Sequence, residues 1–325
     1  MIEVHYDRGT YLPGCELWLD PQGTRPFAFV SHAHSDHTGH HQRTILTEAT
    51  ARMMRARLGS GGKFQHVLRF GERREFGSFR AELIPAGHVL GSAQILIENA
   101  EGTLLYTGDF KLRPGLASEA AQTIHAETLI METTYGRPHY KFPPREKTLR
   151  RILDFCKETL AADQVPVLLG YSLGKAQEIL AALAGAGLPI MLHGSVWQMT
   201  RLYEELGAVF PPYVRFEPGL AAGHVLLCPP ATARSAMLEH LPSKRIAMIT
   251  GWGMDRSAKF RYGCDEVFPL SDHADYEELM ELVERVNPSR VLTLHGYASE
   301  FAQDLRRKGI ESWALTGGNQ MELSL

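Results

Sequence analysis

Five of the fifteen histidines fall between His32 and His41. Directly after the apolar run FAFVS, four potential metal donors emerge in close succession: His32, His34, Asp36 and His37. Residues two apart in an extended segment point to the same side, so His32 and His34 can bind one ion, and the following turn offers Asp36 and His37 to a second. Zinc favours imidazole nitrogen and carboxylate oxygen, and a catalytic zinc site keeps one position open for water. Two further candidates close apolar runs, His88 in PAGHVLGSAQ and Asp109 in LLYTGDF, and a third is His295 in VLTLHGY. A glycine beside His88 and Asp109 lets backbone and ligand approach closely, and Asp109 could bridge two ions. Two divalent ions are therefore expected. Zinc suits the donor set best, and manganese or iron can occupy similar sites. His40, His41, His66, His125, His193, His224 and His240 stand outside this pattern and are read as exposed or structural.

These residues need strand ends to present them. From the start to about residue 135, short runs such as PFAFVSH, AELIPAG, AQILIEN, GTLLYTGD and TLIMETT alternate with turns. Their content of Val, Ile, Leu and Thr, bounded by Gly, Pro or Asp, predicts sheets, with one helix from Glu48 to Leu58. After Pro143 and Pro144, Leu149, Ile152, Leu153, Cys156 and Leu160 recur at helical spacing. Strand and helix then alternate from VPVLLGYS to RIAMITG, which predicts a parallel α/β lobe. The end of the chain, from DEVFPL to ESWALTG, returns to the first pattern and includes helices from Tyr276 to Val286 and from Ala298 to Lys308. Asp275 can cap the first of these, with Glu278 three residues on. The expected division is 1–140 and 267–325 for one domain, with 141–266 inserted.

Composition narrows the class. A chain of 325 residues exceeds the roughly 250–300 at which a single core stops growing. No apolar stretch reaches membrane-spanning length, and the N-terminus lacks a signal-peptide pattern, so a cytoplasmic protein with no membrane partner is expected. Four scattered cysteines without a CxxC pair argue against disulfides and thiolate zinc. With a net charge of −3, any polyanion must be held locally, by metal and a basic strip.

The constellation resembles the metallo-β-lactamase superfamily, and the remainder of the chain resembles its β-CASP branch of nucleases. The resemblance implies an α/β fold, a metallo-β-lactamase αββα sandwich with an inserted β-CASP parallel α/β lobe. It implies that His32, His34, His88 and Asp109 hold one metal and that Asp36, His37, His295 and shared Asp109 hold the other. Asp20, in LWLDP, matches the acidic residue that steadies the histidine loop. Glu132 in METTYG, His273 in LSDHADY and His295 in LHGY match the three marks of the branch, and Gly174, Lys175 and Gln177 match its recurring insert positions. The layout is most similar to bacterial exonucleases associated with DNA ligase, and it is also similar to endonuclease-type proteins of mRNA 3′-end processing.

That resemblance implies in-line attack on a phosphodiester by metal-activated water, with Asp36 in the catalytic set. His273 is the candidate general acid, and Glu132 orients its ring. Lys111, Arg113, Arg137, Lys141, Lys175, Arg256, Lys259 and Arg261 are expected to neutralise successive phosphates of a single strand, with Tyr135, Tyr171 or Trp252 stacking on bases. The expected function is a DNA exonuclease of DNA repair acting on single-stranded DNA, with a DNA ligase or helicase as partner. RNA is the competing polymer, since histidine at the third mark is usual in RNA-directed members. A small-molecule metallo-hydrolase and a metal-free scaffold are the readings from other classes.

Overall fold

A computed structural model of the chain describes residues 1–59, 63–241 and 243–315. Among these, the chain divides into two compact units: Met1–Lys141 with the residues from His273 on, and Phe142–Asp272.

In the first unit, six short strands form one sheet in chain order, from His5–Tyr6 to Phe64–Val67. Seven form a second, in the order Ser312–Ala314, Arg290–Leu294, Thr128–Glu132, Gly102–Tyr106, Ala93–Asn99, Phe79–Pro85, Arg73–Phe76. Leu12, Leu17, Leu19, Phe27, Phe29 and Ile45 from the first sheet share one core with Ile95, Ile97, Leu104, Tyr106 and Ile130 from the second. Successive side chains of a strand point to opposite faces, so the second sheet must cover its other face too. There Leu105, Leu129, Met131 and Val291 meet Leu279, Leu282, Val283 and Val286, the apolar stripe of helix Tyr276–Val286, and Phe301 and Leu305 of helix Ala298–Arg307. The first of these helices starts where Asp275 accepts from the N–H groups of Glu277 and Glu278 while Glu278 reaches back, a capping box, and it stops at Asn287 in the left-handed region (φ 51°).

The second unit is a parallel sheet in the order Val214–Arg215, Ile190–Leu192, Val225–Cys228, Val165–Leu169, Lys244–Ile249, Glu266–Phe268. All five residues of Val165–Leu169 are buried because both faces are covered. Helices Arg145–Ala161, Lys175–Ala182 and Gly194–Glu205 pack on one face, and Leu238 and Ala258 on the other.

The architecture is the α/β one expected, with differences in detail. DEVFPL does not belong to the returning part of the chain: Glu266–Phe268 pairs in parallel with Lys244–Ile249, so the second unit runs on to Asp272. Strands His5–Tyr6, Thr10–Leu12, Phe64–Val67, Arg73–Phe76 and Val214–Arg215 were not expected; at two to four residues they are too short for alternation to declare itself. The final residues of the expected 267–325 segment, from 316 on, lie outside the described residues. Among the described residues, no helix is long and apolar enough to cross a membrane.

Candidate metal centre

Parallel pairing explains why residues far apart in sequence converge. Gly102–Tyr106, Thr128–Glu132 and Arg290–Leu294 are mutually parallel, so their C-terminal ends carry Asp109, Glu132 and His295 to one edge of the sheet. Two antiparallel steps bring Phe79–Pro85 into the same direction, and His88 follows it. In the other sheet Leu17–Leu19 is parallel to Phe27–Phe29, which places Asp20 beside the loop of His32, His34, Asp36 and His37. Ala93 N–H donates to Ser31 O (2.9 Å), joining the two sheets at this point, and Arg57 donates to Ala33 O from helix Glu48–Leu58. Close approach demands glycine: at Gly108 (φ 54°) a Cβ would lie 2.5 Å from Ser31 Cβ, and at Gly87 (φ 79°) one would lie 2.3 Å from Lys111 O.

His32, His34, His88 and Asp109 each place one donor atom within 4.8 Å of the others. His34 Nδ1 lies 2.9 Å from His32 Nε2 and 3.1 Å from His88 Nε2. Asp109 Oδ2 lies 3.5 Å from His32 Nε2, 3.7 Å from His88 Nε2 and 3.3 Å from His37 Nε2. The second expected set is looser. His37 Nε2 lies 3.6 Å from Asp36 Oδ2, and the ring of His295 is centred 5.8 Å from that of His37. His295 itself sits in the left-handed region (φ 60°), ahead of Gly296, whose own Cβ would strike Thr134 Cα at 2.4 Å.

Asp20 decides how two of these histidines present themselves. Its carboxylate accepts from Ser31 N–H (2.8 Å), Ser31 Oγ (2.5 Å), Tyr106 OH (3.0 Å) and His37 Nδ1 (2.8 Å). Since the Ser31 hydroxyl proton is given to Asp20, Ser31 Oγ must accept from His32 Nδ1 at 2.9 Å. His32 then carries its proton on Nδ1 and turns the lone pair of Nε2 toward His34 and Asp109. Neighbouring imidazole nitrogens this close repel unless a proton or a cation lies among them. The donor chemistry, three imidazoles and a shared carboxylate held by an outer carboxylate, fits a divalent metal.

The electrostatics agree. Burial and the nearby His37, His34 and His88 push His32 well below the usual histidine range. Burial disfavours charge on His37 too, but Asp109 and Asp20 outweigh it and hold its pKa well above that range. Burial would raise the Asp109 carboxyl; His37 and then His273 overcome this and hold it well below the usual carboxylate range. Asp36 is lowered in the same way, burial being outweighed chiefly by His37.

Glu132, buried at the end of its strand, accepts from Phe110 N–H (3.0 Å) and from the Thr134 hydroxyl, and its Oε1 is 2.9 Å from His273 Nδ1. His273 Nδ1 is also 4.0 Å from Asp109 Oδ2, and its ring stands 4.6 Å from that of His88. Ala274 N–H donates to Phe110 O (2.7 Å), so the residue after His273 is tied to the Asp109 segment.

The residues expected to bind phosphate fare differently. Arg113 is engaged with buried Asp275 and Glu278 at the start of helix Tyr276–Val286, its Nε 3.0 Å from Glu278 Oε2. Lys175 is buried (2% exposed), donating to Leu270 O at 2.8 Å and to Asp272 Oδ1 at 3.0 Å. Lys111 and Tyr135 are buried as well. Lys111 and Lys175 are thus not the surface cations the sequence suggested, because charge in a sequence does not disclose burial. Arg137 pairs with Glu300 (2.8 Å) over the Tyr297 ring, Lys141 with Glu277 (2.7 Å), and Arg261 with Asp255 (3.1 Å). Arg256 and Lys259 are exposed, Tyr171 is 45% exposed, and Trp252 is half-buried. Ser31, Tyr106 and Thr134, which steady the centre, were missed; only Ser31, adjoining the histidine run, carried any signal.

Known proteins resemble this chain to different extents. A family model described as the Zn-dependent metallo-hydrolase RNA specificity domain matches residues 265–315. A probable DNA ligase of Opitutus terrae is 52% identical over 325 residues, covering 99% of this chain and 32% of that protein. The 5′ exonuclease Apollo of Gallus gallus is 29% identical over 88% of this chain and 63% of its own length. Probable RNase MJ4 of Methanocaldococcus jannaschii is 24% identical over 98% of this chain and 93% of its own. The chain thus spans about a third of the first relative and under two thirds of the second. A solved structure of a protein of unknown function from Enterococcus faecalis shares the fold (TM-score 0.57, 14% identity, 90% of this chain and 79% of that one). Taken with the sheet order and the His/Asp cluster, these similarities support a metallo-β-lactamase protein of the β-CASP nuclease branch, related to both DNA ligase-associated and RNA-processing members.

Proposed function

We propose that the chain hydrolyses phosphodiester bonds of nucleic acid with two bound divalent ions, zinc being the best fit, as a single-strand DNA exonuclease of DNA repair. The observation that carries this reading is the convergence of His32, His34, His88 and Asp109 on one point beside Asp36 and His37. His32, His34, His88 and Asp109 would hold one ion; Asp36, His37, His295 and the shared Asp109 would hold the second. When bound, such ions neutralise phosphate charge and acidify water.

The chain's own groups supply the rest. Asp20 holds His32 and His37 in the tautomers that free their Nε2 atoms. His273, gripped through Nδ1 by Glu132, would protonate the leaving sugar oxygen through its other nitrogen. The rigid strand ends fix these groups in advance, so little reorganisation is needed as charge develops.

DNA as the polymer is supported by identity across nearly the whole chain to part of a probable DNA ligase, and by similarity to a 5′ exonuclease. The same relative supports a DNA ligase as functional partner. RNA processing is the second reading, favoured by the match of residues 265–315 to a domain described by RNA specificity. Metal-loaded protein given end-labelled single-stranded DNA and RNA of matched sequence separates them. Preferential shortening of DNA, absent in the Asp36→Ala, His37→Ala double variant, is expected; preferential RNA cleavage moves the protein to RNA processing.

A further inference from the structure

Phe260 is the most exposed large apolar side chain among the described residues, at 93%. It lies on the short helix Ala258–Tyr262 of the second unit, which is anchored by buried Ala258 and half-buried Tyr262 against the apolar cluster of Val167, Met248 and Val267. The helix therefore has its packing without Phe260, and no ring or cation contact is made by that side chain among the described residues. A free phenyl ring in water contributes nothing to folding. Its surroundings are cationic: Arg256 and Lys259 are exposed and have no anionic partner among the described residues, whereas Arg261 is held by Asp255 (3.1 Å) and the Ser257 hydroxyl (3.4 Å).

A bare aromatic ring beside uncompensated cations matches single-stranded nucleic acid, where each base offers a π-face and each link a phosphate. We propose that Phe260 is a nucleobase-stacking residue, and that Arg256 and Lys259 take the phosphates flanking the stacked base. This deepens the nuclease reading, on which it rests, by adding a contact remote in sequence from every metal-centre residue. An acidic protein partner would use the same cations, but it would gain nothing from bases.

The test compares binding of two fluorescent single strands of equal length and charge, one base-bearing and one abasic, to the full chain in chelator, which blocks turnover. The wild type is expected to prefer the base-bearing strand by about tenfold, the size of one stacked base. Phe260→Ala should erase that preference and Phe260→Trp restore it. Arg256→Gln and Lys259→Gln should each reduce the salt dependence, by a slope of about 0.7, for both strands. Equal affinity of wild type for the two strands, or a preference that survives Phe260→Ala, overturns the proposal. Hydrolysis of a small chromogenic phosphodiester by metal-loaded wild type reports separately on the nuclease reading, so the two can fail independently.

Discussion

At the scale of single residues, two carboxylates do their work through a histidine. Asp20 meets Ser31, His37 and Tyr106 and thereby sets the proton positions on His32 and His37. Asp20→Asn keeps the shape but cannot accept all of these bonds, and metal affinity is expected to fall about 10- to 100-fold. Titration of stripped protein with zinc against a competing chelator reads this directly; unchanged affinity would show that the tautomers are fixed some other way. Glu132 grips His273. His273→Ala should leave metal content intact and lower turnover about 10²- to 10⁴-fold, as for loss of a general acid; undiminished turnover in a metal-loaded variant removes His273 from the chemistry. Asp20, Glu132 and His273 could be singled out in the sequence because they sit in recognisable settings. The burial of Lys175 and Tyr135 and the pairing of Arg113 with Asp275 were not legible, since neither burial nor an ion partner is written in local sequence.

At the scale of elements, the site exists because parallel strands end together and glycines let their ends touch. Gly108→Ala places a methyl against Ser31 Cβ at a positive φ, and a loss of about 1–3 kcal/mol is expected in urea unfolding. An unchanged midpoint would mean that the loop relaxes freely. Asp275 caps helix Tyr276–Val286 two residues beyond His273 and also receives Arg113. Asp275→Ala should cost about 1–2 kcal/mol of stability. The long, periodic elements were legible: helix Glu48–Leu58, strand Ala93–Asn99 and helix Tyr276–Val286 fall where apolar spacing and capping put them. Short strands such as His5–Tyr6 and Thr10–Leu12 were not, because so few side chains contain too little alternation to distinguish a strand from a turn. Glu266–Phe268 was assigned to the wrong sheet because its residues fit either one, and only pairing with Lys244–Ile249 decides.

At the scale of the whole molecule, the chain has little net charge to attract a polyanion, so affinity must come from the metal centre and from local cations. Cleavage at low substrate concentration should therefore weaken steeply between low and physiological salt, and a salt-insensitive rate would point to a neutral substrate. The family relation widens the choice of polymer rather than closing it, since relatives carry both DNA and RNA names. The most direct test strips the protein of metal, adds zinc in steps, and follows bound metal and hydrolysis of a labelled single strand in the same samples. Hydrolysis rising with occupancy to two ions per chain, and absent in a His32→Ala, His34→Ala variant, is the result expected; undiminished hydrolysis in chelator, or full occupancy with neither DNA nor RNA cut, would contradict it.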